Sequence, residues 1–200
     1  MDREHNTIRN HLHTFIDAQK KLKDFENRLN ASKVSVATES SLNTNGFKFS
    51  TPEELLKWMS INIKYSKFTR LKDPMTVLIN KEGSCHDQTV FELFFLNQMG
   101  ISANALFLVE TNLFDKGGVT HSFAYYKSYS KYYWLENVWD SFKGIHEYSS
   151  IDKMISDIKR MHEKGMWGDY KKFPFVKVCP FNYQIGDTLQ MLVNRMYKPM

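Results

Sequence analysis

Apolar residues at Ile8, Leu12, Phe15, Ile16, Leu22, Phe25 and Leu29 approximate helical spacing, which predicts an amphipathic helix over residues 7–29. Residues 31–45 are rich in Ser, Thr, Asn and Ala and read as a linker. Ser50-Thr51-Pro52-Glu53-Glu54 then signals a helix start. Thr51 caps the free N–H groups, Pro52 suits the first helical position, and Glu54 closes a capping box. Leu55, Leu56, Trp58, Met59 and either Ile61 or Ile63 supply its buried stripe. Residues 65–75 are basic and loop-like. A stronger helix is predicted over 85–99, with Val90, Leu93, Phe94 and Met99 on its apolar side, Phe91 and Phe95 widening it, and Gly100 as its stop.

The period then changes. Residues 103–110 form an apolar run that reads as a strand, and Asp115-Lys116-Gly117-Gly118 reads as a turn. Residues 121–127 and 132–139 predict a hairpin. A further helix is expected over 151–162, with Ser150 capping and Gly165 stopping it. Residues 173–178 read as a last strand, and Asp187 is the expected cap of a terminal helix through Met196. Helices before and after sequential strands favour an α+β fold, with helices packed on an antiparallel sheet. The expected organisation is an N-terminal helix over 1–30, a polar linker over 31–49 and a main domain over 50–200 with a helical extension.

Composition narrows this picture. Two hundred residues, 42% of them hydrophobic, with 15 Phe, 10 Tyr and 4 Trp, are enough for one sizeable core. Cys85 and Cys179 are the sole cysteines, so no disulfide scaffold is present, although a single bridge between them stays open. Met1 to Asn6 are polar and lack a signal-peptide core. No apolar run approaches the ~18 residues of a membrane span, and a reducing, cytoplasmic setting is expected. The net charge of +5 includes Lys20, Lys21 and Lys23, which read as a solvated helix face. No nucleic-acid-binding motif accompanies them, so a nucleic-acid partner is not expected. The N-terminal helix has a face for the main domain or a protein partner. Acidic residues interrupt its basic side, which disfavours a membrane-surface role. Ala37-Thr38-Glu39 has the small-any-Glu pattern cut by some bacteriophage maturation proteases, although such triplets are common by chance; a phage-encoded chain would be expected to be virion-associated.

The chemistry gathers at Gly83-Ser84-Cys85-His86-Asp87-Gln88. Gly83 and Ser84 permit a tight entry into the helix that Cys85 opens. The positive end of a helix dipole favours a thiolate there, and the Cys85 backbone N–H suits a developing oxyanion. Asp87 opposes a thiolate if it faces inward, so it is expected to point outward and cap the helix. An isolated cysteine is more often a small buried hydrophobe. His121 and Glu136 change that balance. If the hairpin turns at Ser128–Tyr129, His121 faces Glu136 directly, and with a loop two residues longer it faces Val138 with Glu136 diagonal. Both registers keep the two side chains on one face. Such a carboxylate fixes the imidazole tautomer and frees the other ring nitrogen for the thiol. Asn137 and Asp140 are the alternative third members.

These stretches resemble the transglutaminase-like superfamily, whose core is shared with papain-like cysteine proteases. Residues 77–88, Phe91-Glu92-Leu93 and Met99-Gly100-Ile101 match its nucleophile region, in which Gly-x-Cys opens a helix ending in Gly-Ile. His121-Ser122-Phe123 matches its histidine strand and Tyr132 to Glu136 the strand after it. The likeness covers residues 51–148. Glu136 stands where the family usually carries Asp, and Ser84-Cys85 where it carries Trp-Cys or Phe-Cys. The resemblance implies Cys85 as nucleophile, His121 as acid/base and Glu136 as its orienter. It implies a protein or peptide amide substrate and a thioester resolved by water or by an amine. Tyr65 and Asn80 are candidates for a second oxyanion donor, and Trp134 for lining the acyl cleft.

Other classes have less support. The seven histidines form no H-x-x-x-H or H-E-x-x-H, so neither metal nor cofactor is expected. The main competitor is a non-catalytic module of the same fold that serves binding or assembly, for example in a phage particle.

Overall fold

A computed structural model describes residues 47–110, 120–163 and 176–197. The chain divides into the units Met1–Ser35 and Val36–Met200, and every described residue belongs to the second. The expected helix over 7–29, linker residues 31–46, the turn at 115–118 and the stop at Gly165 lie outside the described residues. Residues 47–49, expected as the end of the polar linker, are instead tied to the core, with Phe49 buried and Phe47 packed against it.

Helix α1 (Pro52–Asn62) begins where the cap signals place it. Thr51 Oγ1 accepts from the Glu54 N–H at 3.1 Å, while the Glu54 carboxylate accepts from Ser50 N–H at 2.8 Å, one residue further back than a standard box. Leu55, Leu56, Met59 and Ile63 are buried, whereas Ile61 is 73% exposed, so Ile63 completes the stripe. Strand β1 (Lys64–Tyr65) pairs in parallel with β2 (Glu82–Gly83), setting Tyr65 beside Gly83. Between them lies a helix the periodicity did not predict, α2 (Pro74–Asn80). It uses the same device as α1, with Asp73 accepting from Thr76 N–H and Pro74 in the first turn.

Helix α3 (Cys85–Gln98) is the centre of the domain. Every residue from Cys85 to Leu96 is buried, so it is covered on all sides rather than along one stripe. Phe91 stacks on Trp58 of α1 at 5.9 Å, and Phe95 meets Phe49 edge-on at 4.9 Å. Deleting one such ring costs roughly 3–5 kcal/mol. Gly100 ends the helix with φ at +78°, as a C-terminal stop requires.

The remaining strands are β3 (Ala103–Glu110), β4 (Thr120–Ser128), β5 (Lys131–Glu136), β6 (Gly144–Tyr148) and β7 (Val176–Pro180). They form one antiparallel sheet in the order β6-β5-β4-β3-β7. The fold is α+β, with helices on an antiparallel sheet and a cysteine at a helix N-terminus. The β4–β5 hairpin pairs Tyr125 with Trp134 and Ser128 with Lys131, the second of the two expected registers, reached by moving the turn one residue along to Tyr129–Ser130 rather than by lengthening the loop. Its two-residue turn places Tyr129 at φ +52°. Strand β5 stops at Glu136, short of the predicted 139, because the chain turns into a 3-10 segment (Asp140–Phe142). Strand β6 was not anticipated. It is only half buried and carries no alternating pattern.

Helices α4 (Ile151–Glu163) and α5 (Leu189–Tyr197) complete the described fold. Ser150 Oγ accepts from Lys153 N–H, as expected of a cap. At α5 the expectation is corrected. Thr188 Oγ1 takes the cap position by accepting from Met191 N–H, and Asp187 instead holds Arg195 at 2.9 Å and accepts from Gln184 N–H.

Candidate active site

The first turn of α3 is fixed by its own cap. Ser84 Oγ faces the Asp87 N–H, and Asp87 Oδ2 accepts from Ser84 N–H at 2.8 Å and from Ser84 Oγ at 2.7 Å. Asp87 Oδ1 accepts from the Lys72 N–H at 2.8 Å, which ties the preceding loop to the helix start. Asp87 therefore caps as expected but points inward, at 1% exposure, rather than outward. Its negative charge is taken up by three donors. Ser84 N–H is committed to Asp87 and Asp87 N–H to Ser84, so the Cys85 and His86 N–H groups, which have no intrahelical acceptor, are left at the helix entry. Gly83 makes the turn possible. A Cβ there would meet the Asp87 Cβ at 3.0 Å.

Strand alternation turns Ser122 and Ala124 toward α3 and His121 and Phe123 to the opposite face. The Ser122–Thr89 contact of 3.0 Å marks the α3 side. Cys85 Sγ lies 4.0 Å from the carbonyl of Thr120, the residue before His121, and the His121 ring is close enough to act on the thiol electrostatically. His121 Nε2 lies 2.9 Å from Glu136 Oε2. Glu136 Oε1 accepts from the Val138 and Trp139 N–H groups at 2.7 and 2.9 Å. Nδ1 is buried with no partner of good hydrogen-bond geometry, and it is the ring nitrogen left for the thiol. The Trp139 ring stacks on His121 at 4.0 Å, covering it from water and favouring its cationic form.

Both groups are buried, and burial alone would keep each neutral. For the Cys85 thiol burial acts upward, but the adjacent His86 and His121 rings outweigh it and bring the pKa to about 5. For His121 burial acts downward, but the Glu136 charge and the interactions with Cys85 outweigh it and hold the ring at about 10. The thiolate–imidazolium pair is thus the favoured form at neutral pH. Both cysteines are free, which closes the open question of a Cys85–Cys179 bridge.

Not every expected residue joins the site. Asn137 turns away and donates to Gln88 Oε1 at 2.6 Å, and Gln88 donates to the Gly83 carbonyl, so Asn137 braces the helix entry. Asp140 is exposed and pairs with Lys143. Neither has a described contact with His121. Trp134 is fully buried among Phe123, Phe142 and His146 and lines no cleft. Asn80 ends α2 on the exposed surface, without a described contact to the thiol. Tyr65 is 58% exposed, and the charge on Cys85 is felt at its phenol. Burial first, then the Cys85 and Asp87 charges, raise the Tyr65 pKa, so it keeps its O–H as a donor. A cavity of about 560 Å³ runs between α1 and the β5–β6 pair, reaching Glu136 and Asn137 but not Cys85.

Three contributors escaped the sequence reading. His86, next to the nucleophile, is buried with both ring nitrogens on hydroxyls of β4. Glu92, seven residues after Cys85 and so near its helix face, is a buried carboxyl whose pKa is raised well above normal, by burial first and then by Glu136. An acid inside Thr-Val-Phe-Glu-Leu-Phe-Phe was the available signal. Trp139 required the turn after β5, which alternation does not reveal. No group of three His, Cys, Asp or Glu side chains arranged to hold a metal ion occurs among the described residues. None of the described helices is long and apolar enough to cross a membrane.

No family model matches the chain, and no curated protein does. Among solved structures the chain is similar to LapG of Legionella pneumophila, at 13% identity and a TM-score of 0.38 over 90% of each chain.

Proposed function

We propose that the protein is a transglutaminase-like cysteine enzyme that attacks amide carbonyls of protein or peptide substrates through Cys85. The observation that carries this reading is the division of labour on His121: Nε2 is held by a fully bonded Glu136 carboxylate, and Nδ1 is left for a thiol at a helix start. The Cys85 thiolate forms a C–S bond to the carbonyl carbon, and the charge moves to oxygen. The Cys85 N–H and the Tyr65 hydroxyl are the candidate donors to that oxyanion. His121 gives its proton to the departing amine, which leaves a thioester and a neutral imidazole. Water or an acceptor amine then attacks, His121 takes its proton, and the C–S bond breaks to regenerate the thiolate. Hydrolysis and transamidation share every step but the nucleophile of the second half.

Mass spectrometry after iodoacetamide treatment tests the nucleophile. Cys85 is expected to be labelled quickly near neutral pH in the wild type and slowly in His121→Ala. Equal labelling of the two proteins, or an inert Cys85, would favour the non-catalytic module. Incorporation of a fluorescent amine into a glutamine-rich protein, set against release of free carboxyl groups, separates transfer from hydrolysis.

A further inference from the structure

We propose that Asn137 and Gln88 are positioning residues, a buried amide chain from the turn after Glu136 to the helix entry that sets the spacing between His121 and the Cys85 sulfur. The proposal rests on the Cys85–His121 reading of the site and gives neither amide a proton-transfer role.

The chain is continuous and runs one way. Asn137 Nδ2 donates to Gln88 Oε1 at 2.6 Å, and Gln88 Nε2 donates to the Gly83 carbonyl at 2.9 Å. The same carbonyl accepts from Ser66 N–H at 3.2 Å. Gly83 is thus held from two sides, two residues before the nucleophile. Gln88 is 2% exposed and Asn137 7%, so both amides belong to the interior.

Each end of the chain is joined to one side of the reacting pair. Asn137 lies inside the turn that the Val138 and Trp139 N–H groups close on Glu136 Oε1. Its amide and the Glu136 carboxylate therefore share one short, bonded turn, and Glu136 Oε2 lies 2.9 Å from His121 Nε2. At the other end Gln88 follows Cys85 by three residues, which puts both on one face of the first turn of α3. The circuit from Cys85 through Gln88, Asn137 and Glu136 to His121 is held by helix, hydrogen bond, main chain and hydrogen bond in turn. It closes across the approach of His121 to the sulfur, the span that reaction must alter.

Packing alone would not select this pair. Two buried amides carry a desolvation cost that an apolar pair of the same shape avoids. What they add is a fixed spacing and rotation between the end of β5 and the start of α3. Both are also uncharged. His86, His121, Asp87 and Tyr65 are the ionisable groups about the sulfur and its helix entry among the described residues, and all four remain when the amides are removed. A changed thiol titration then reports changed spacing.

Thiolate absorbance at 240 nm, followed against pH without substrate, tests this. Cys179 does not interfere, because burial pushes it up to about 11. Gln88→Met and Asn137→Leu keep the side-chain shapes and remove the chain. Each is expected to raise the Cys85 titration from about 5 by about one pH unit. Iodoacetamide labelling should then slow about fivefold at pH 5 and stay nearly unchanged at pH 8. The double variant should move no further than the larger single, because either break opens the same chain. Leu192→Ala, in the buried face of α5 and outside the chain, is the control. It should lower stability in urea and leave the titration in place. Curves for both singles that superimpose on wild type, shifts that add in the double, or an equal shift in Leu192→Ala overturn the proposal. If neither isostere folds, Asn137→Ser decides, since its side chain stops short of Gln88: an upward shift supports the proposal and an unmoved curve refutes it. A shifted titration in a protein that cleaves no amide would refute the enzyme reading and leave this inference standing.

Discussion

Glu136 presents its two oxygens to different partners: Oε1 accepts two backbone N–H groups, and Oε2 faces His121 Nε2 at 2.9 Å. That division makes Glu136→Gln a sharp test. The amide oxygen must take the Oε1 position, since Val138 and Trp139 present only donors there. The NH2 group is then forced toward Nε2, which must accept. The imidazole proton moves to Nδ1, against the sulfur, and the ring can no longer take a proton from the thiol. Amide turnover should fall by about 10³–10⁴-fold with the fold intact. Retention of more than a tenth of wild-type kcat/KM would remove Glu136 from its orienting role.

The same pair sets the pH response. The thiolate–imidazolium form requires pH above the Cys85 value of about 5 and below the His121 value of about 10. The kcat/KM profile is expected to rise through the first and fall through the second, and the two limbs belong to the coupled pair rather than to either residue. Deleting the Glu136 charge removes the largest force holding His121 up, so Glu136→Ala should move the falling limb toward neutrality. A profile that rises only above pH 8 would mean a neutral thiol in the resting protein.

Much of this site was legible because its signals are local. Gly83-Ser84-Cys85 followed by Asp87 is a cap and turn chemistry, and it places a helix start without any long-range information. The shared face of His121 and Glu136 followed from a period of two, which tolerates either hairpin register. What escaped depends on tertiary contact. Asp87 was expected to face outward because a bare carboxylate opposes a thiolate, and the Lys72 N–H that satisfies it comes from a separate loop. Trp134 sits on a strand face that α+β packing fully buries, so its size marks core rather than cleft. His86 carries no periodic signal, and only the pairing of α3 with β4 brings its ring to Thr120 and Ser122.

The helix entry gives a prediction separable from catalysis. Gly83→Ala places a methyl 3.0 Å from the Asp87 Cβ, an atom close to the helix backbone that cannot swing away. Asp87 must shift, and its bonds to Ser84 and the Lys72 N–H loosen together. A loss of roughly 1–3 kcal/mol in urea unfolding is expected. Slower Cys85 alkylation at pH 6 should accompany it, because the helix terminus and its N–H groups move relative to the sulfur. Unchanged stability would mean that the entry turn has slack the packing does not suggest.

Glu92 gives a pH-dependent test of stability. Its folded pKa is raised well above that of an exposed glutamate, by burial first and by the neighbouring Glu136 charge second. Both effects favour the neutral acid, which avoids burying a second like charge beside Glu136. Below the unfolded-state pKa both states hold the proton, and Glu92 carries no penalty. As pH rises past it, the unfolded chain ionises while the folded one does not. The native state then loses about 1.4 kcal/mol per pH unit until the folded pKa is reached. Glu92→Gln keeps an acceptor for the Ala124 backbone bond and removes the titration. Wild type and variant should differ by a constant amount below the ordinary glutamate pKa, and as pH is raised from 5 toward 8 the variant should gain on wild type until the folded pKa of Glu92 is passed. A difference that stays flat across that range would show Glu92 ionised in the folded protein, with a cationic partner to be sought beside α3.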